Sequence, residues 1–78
     1  MNRKHGTATY TTHAIADRQA GSAGLELYRE TNGKTERAAH ILFWDATGQF
    51  GFQTFNVEIP LDIVEELIAE VKAAVKTE

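Results

Sequence analysis

The dipeptide Asn32-Gly33, set between two runs of alternating side chains, constrains this chain more than any other pair of residues. A two-residue hairpin loop of type I′ needs positive φ at both central positions, and Asn followed by Gly supplies that at little steric cost. The flanking residues must then be antiparallel neighbours. Before the turn, Ala23, Leu25 and Leu27 alternate with Gly24, Glu26 and Tyr28, a strand with one buried face. After it, a strand from about Thr35 to Asp45 ends in Ala38-Ala39-His40-Ile41-Leu42-Phe43-Trp44. One side carries Ala39, Ile41 and Phe43; the other carries Ala38, His40, Leu42 and Trp44. Both sides are apolar, which places this strand in a two-layer core or at a subunit interface.

Two more strands flank the hairpin. Thr7 to His13 is rich in threonine around Tyr10, a β-favouring run, and Asp17 to Gly21 reads as the loop after it. Asp45 to Gln49 is a short hairpin loop with Gly48 placed for left-handed backbone. In the fourth strand, Phe50 to Ile59, Phe50 and Phe52 share one parity while Phe55, Val57 and Ile59 share the other. A bulge near Gln53-Thr54 would bring all five onto one face. From Pro60 the period becomes helical. Val64, Leu67, Ile68, Val71 and Val75, with Leu61 ahead of them, make one apolar stripe, and Asp62, Glu65, Glu66, Glu70, Lys72 and Lys76 lie off it. Pro60 or Asp62 opens the helix, and Asp62 and Glu65 have capping-box spacing. The fold class is therefore α+β: a curved four-stranded antiparallel meander followed by one C-terminal amphipathic helix packed on one face, β-β-β-β-α. Residues 1–78 form a single domain, with residues 1–5 expected to be disordered.

A chain of 78 residues buries only about 60–65% of its unfolded surface. Chains this small usually add a disulfide, a metal or a partner subunit. With no cysteine, thiolate sites and disulfides are excluded, which leaves a homo-oligomer, a dimer, as the expected supplement. Nothing approaches the ~20 apolar residues of a membrane span, and no apolar run follows Arg3-Lys4 as a secretory signal would need. The expected location is cytoplasmic.

Little here speaks of catalysis. His5, His13 and His40 have no zinc-site spacing, so no metal is expected. Gly33-Lys34-Thr35 has the ending of a phosphate-binding loop, but Tyr28 stands where that loop needs its first glycine. Ser22, the single serine, has no nucleophile elbow around it, and Glu65-Glu66 lie on a solvated helix face. The reading is of a non-enzymatic protein without a cofactor. Charge is uneven: residues 1–44 hold six Lys/Arg against four Asp/Glu, net +2, and residues 45–78 hold two against seven, net −5. Every aromatic residue lies in a strand. Tyr28 and Trp44, with His40 and Leu42 beside them, fall on the side away from the expected core, near Arg29, Lys34 and Arg37. Such a face stacks unpaired bases and holds phosphates, or it forms a subunit interface, where Trp and Tyr are also enriched.

The stretch from Ile41 to Val71 comprises an apolar strand, a glycine-containing turn, a strand ending Val57-Glu58-Ile59, then Pro60 and an amphipathic helix. In that pattern the chain resembles the β-β-β-β-α fold of the positive-cofactor transcriptional coactivators and the Whirly proteins, which bind single-stranded DNA as dimers or higher oligomers. The resemblance implies a small oligomeric protein of transcription-regulator type that contacts single-stranded nucleic acid through Tyr28, Arg29, Lys34, Arg37 and Trp44. The alternative is a protein-interaction or structural module without nucleic-acid binding, whose sheet face, through His40, Leu42 and Trp44, is a homo-oligomer or partner interface.

Overall fold

The computed structural model describes residues 1–75. Its elements are β1 (Asn2–His5), β2 (Ala8–Asp17), β3 (Ser22–Thr31), β4 (Lys34–Trp44), β5 (Gln49–Thr54) and α1 (Leu61–Ala74). Each strand pairs antiparallel with the next, in the order β1-β2-β3-β4-β5. The sheet is the meander expected, with one strand more. Asn32 and Gly33 take φ of 53° and 78°, so the predicted I′ hairpin joins β3 to β4. Gly48 has φ of 67° in the loop between β4 and β5. At the β2–β3 turn, Asp17 Oδ1 accepts hydrogen bonds from the Gln19 and Ala20 amides at 3.0 and 3.1 Å.

The additional strand is β1, in residues expected to be disordered. Its register sets Arg3 opposite Tyr10 and His5 opposite Ala8. Side chains of β1 that point to the helix are held there by α1: Arg3 Nη1 donates to Glu66 Oε1 at 2.6 Å. The Met1 nitrogen lies 2.9 Å from Glu70 Oε2, which also accepts from the Thr12 hydroxyl at 2.7 Å.

Helix α1 lies across one face of the sheet. Tyr10, Leu25, Leu27, Ala38, Ala39 and Ile41 bury there against Ile63, Leu67 and Val71. The buried helix row thus runs i, i+4, i+8 from Ile63, and Leu61 (71% exposed) and Ile68 (39%) stand outside the core that the wider stripe assigns them to. Pro60 occupies the N-cap position without a side-chain cap hydrogen bond, so the Asp62/Glu65 capping box does not form. Lys76 lies outside the described residues.

The irregularity expected in the fourth strand sits instead in β4. Pairing of β4 with β5 runs unbroken from Ala39 opposite Thr54 to Trp44 opposite Gln49. Between β3 and β4, Leu27 faces Ala39 but Tyr28 faces Arg37, leaving Ala38 as the extra residue of a β-bulge. The bulge lets two consecutive residues, Ala38 and Ala39, both bury completely. The Ala38 carbonyl accepts the Phe55 amide at 3.0 Å. β5 ends at Thr54, so Phe50 and Phe52 share the helix side while Phe55 passes to the other; the five apolar residues do not share a face. No helix among the described residues is long and apolar enough to cross a membrane.

Candidate functional site

The register divides the sheet into a helix side and an open side. Because Tyr28 pairs with Arg37, Glu26 with His40, Gly24 with Leu42 and Ser22 with Trp44, these side chains project together on the open side. From β2, His13 (opposite Glu26) and Ile15 (opposite Gly24) join them. Tyr28, His40, Leu42 and Trp44 are therefore brought onto one face, as the sequence parity implies, and Arg37, of the opposite parity, joins them because the bulge at Ala38 resets the alternation.

Arg29 is not among them. It follows Tyr28 by one residue and points to the helix side, paired with Glu36 and close to the buried Tyr10; its guanidinium Nε is buried without a hydrogen-bond partner. Hydrogen bonding to Glu36 raises the Arg29 pKa. Lys34 is exposed at the hairpin tip, ten residues before Trp44, roughly 33 Å along an extended strand. Arg29, Lys34 and Trp44 do not converge.

At the centre of the open face is a polar network. The Tyr28 hydroxyl donates to Glu26 Oε1 at 3.0 Å, and Arg37 Nη1 donates to Glu26 Oε2 at 3.1 Å. Partial burial of Glu26 opposes its charge, but these two donors outweigh it and hold the carboxyl below its ordinary range. The hydrogen bond to Glu26 in turn raises the Tyr28 hydroxyl pKa. Arg37 also lies over the Phe55 ring, 4.1 Å from its centroid. Phe55 meets His40 edge-on at 5.2 Å, and Tyr28 meets His13 likewise at 5.0 Å. A shallow depression of about 280 Å³ runs beside this network, bounded by Ile15, Glu26, Arg37, His40, Leu42 and Trp44.

Sequence reasoning misses three members of this face. The bulge expected near Gln53-Thr54 would turn Phe55 to the helix side, and the bulge lies elsewhere. Ile15 lies beyond the strand expected over Thr7 to His13 and joins the face because β2 extends to Asp17, and His13, weighed in the sequence as a metal candidate, joins it by pairing opposite Glu26. No group of three His, Asp or Glu side chains among the described residues is placed to hold a metal ion. The arginines are largely committed to carboxylates: Arg3 to Glu66, Arg29 to Glu36 and Arg37 to Glu26. Comparison with known proteins finds no matching family model, no matching curated protein and no matching solved structure.

Proposed function

We propose that this chain is a non-enzymatic binding module whose open sheet face docks on a second copy of the chain. The observation that carries the reading is the composition of that face: Tyr28, Trp44, Phe55, Leu42 and Ile15 surround a satisfied Glu26–Arg37–Tyr28 network. Aromatic and arginine side chains are enriched at protein interfaces. The area is adequate. Strands of 4, 10, 10, 11 and 6 residues, at about 3.3 Å per residue and about 4.8 Å apart, present roughly 650 Å², near the ~800 Å² per partner of a standard interface. The free chain also exposes 5309 Å², against about 4,700 Å² for a compact monomer of this mass, and its radius of gyration is 12.7 Å against about 11.5 Å.

Sedimentation equilibrium tests this directly. A dimer at micromolar concentration that dissociates on Trp44→Ala supports it, and an 8.7 kDa species throughout rules it out.

A second reading keeps a specific observation in its favour. Tyr28, Trp44 and Phe55 lie on the side of the sheet opposite the acidic helix, an aromatic set of the kind on which single-stranded bases stack. It is the reading the positive-cofactor and Whirly resemblance implies, as a transcription-regulator-like protein. Arg29 lies outside such a site, and Arg37 would have to leave Glu26 to meet a phosphate. Anisotropy of a labelled oligonucleotide at two salt concentrations separates the two. Phosphate contacts must weaken steeply with salt. Replacing Lys34 and Arg37 together should then flatten the salt slope by roughly one to two units, about 0.7 for each phosphate no longer neutralised.

A further inference from the structure

The two edges of the sheet are unlike. Natural edge strands are guarded with charges, proline or bulges, because their unpaired amides and carbonyls template a further strand. β1 is guarded: in four residues it carries Arg3, Lys4 and His5, and Arg3 is tied to α1. β5, Gln-Phe-Gly-Phe-Gln-Thr, has no charge, no proline and no bulge. Its outer edge pairs with nothing among the described residues, and Phe52 is 52% exposed.

Beside that edge the helix stops short of covering the sheet. An apolar cleft of about 220 Å³ lies between β5 and α1, walled by Ile41, Phe50, Phe52, Ile68 and Val71. Ile68, which stands outside the core row of α1, overhangs it at 39% exposure. A strand laid along β5 would direct every second side chain to this side, next to Phe50 and Phe52. The one charged group on the cleft wall is Lys72, which makes no salt bridge among the described residues. We propose that the β5 edge and this cleft dock an extended peptide segment of another protein, added as a sixth strand, with apolar residues at alternate positions and an acidic residue meeting Lys72.

Backbone pairing along β5 supplies affinity, and the cleft with Lys72 supplies selectivity, the division of labour in strand addition. The six residues of β5 span roughly 20 Å. That is a short line of contact for the ~1,600 Å² a stable dimer buries, and it suits a peptide. The site uses no open-face side chain, so it stands or falls separately from the dimer.

The test selects linear heptapeptides displayed on phage against the intact chain, then measures the enriched peptide, fluorescein-labelled, by anisotropy. Enriched sequences should alternate apolar residues and carry an acid. N-methylation of the amides of one parity, and Phe52→Lys in the protein, should each weaken binding about ten-fold or more, as losing one or two backbone hydrogen bonds does. Trp44→Ala should leave affinity unchanged. Ile68→Glu is the second variant if Phe52→Lys does not fold, and the same loss is expected. The inference is overturned by an absence of enriched sequences, by N-methylation without effect, or by loss on Trp44→Ala alone. It is overturned equally if Phe52→Lys lowers the sedimenting mass, because a second copy then occupies the edge.

Discussion

At the scale of single residues, two glycines and one glutamate decide most. A Cβ on Gly24 would stand 1.9 Å from the Ile41 carbonyl oxygen, a backbone atom that cannot swing aside. Gly24→Ala should therefore destabilise by at least the ~1–3 kcal/mol of ordinary overpacking, read from the urea midpoint. Gly33 has φ of 78° with open space around it, so Gly33→Val should cost more than about 1 kcal/mol through backbone strain alone. Only the second glycine is legible in the sequence. Asn-Gly announces its turn, whereas nothing in Ala23-Gly24-Leu25 reveals how closely β3 and β4 approach. Ala38 is silent for the same reason: Ala-Ala fits a bulge or a regular strand equally well. Glu26 sets a pH dependence. Its folded carboxyl titrates below its ordinary pKa, because partial burial is outweighed by hydrogen bonds from Arg37 and Tyr28. The stability it contributes is whole above the ordinary value near ~4.3 and is lost as pH falls through the folded value. Thermal melts between pH 7 and pH 3 should show Glu26→Gln losing less stability on acidification than the unsubstituted chain.

At the scale of elements, α1 separates period from phase. The 3.6-residue period is plain from Leu61 onward, yet the buried row is Ile63, Leu67 and Val71, narrower than the pattern and shifted to include Ile63. Leu61 and Ile68 are as apolar as the core residues, and no count of hydrophobic positions could exclude them. Leu67→Ala should cost about 2–5 kcal/mol, while Leu61→Ala should stay within about 0.5 kcal/mol. Parallel denaturation curves of the two variants check this, and equal losses would contradict the helix placement. β1 is illegible for a different reason. Asn2-Arg3-Lys4-His5 has none of the branched or aromatic residues that mark strands, and it is fixed by β2 pairing and by carboxylates on α1, 63 positions further on at Glu66.

At the scale of the whole molecule, the α+β class and the meander are readable because each strand pairs with its neighbour in sequence, so local turn signals suffice. The faces are half readable: parity brings Tyr28, His40, Leu42 and Trp44 together, but Arg37 reaches them only through the bulge at Ala38, and adjacency in sequence misplaces Arg29 with them. If the open face joins two copies, folding and association are linked. The melting temperature should then rise with protein concentration, and Trp44→Ala should remove that rise. The Arg3–Glu66 bond also has a kinetic side. A nearest-neighbour meander closes only short loops, and such topologies fold quickly for β-rich proteins. The bond from β1 to α1 spans a loop of 63 residues and gains little until the rest is in place. Arg3→Ala should leave the refolding arm of a chevron plot nearly unmoved and speed the unfolding arm. The first strand would then act as a latch on the finished fold, setting how long the native state survives rather than how fast it is reached.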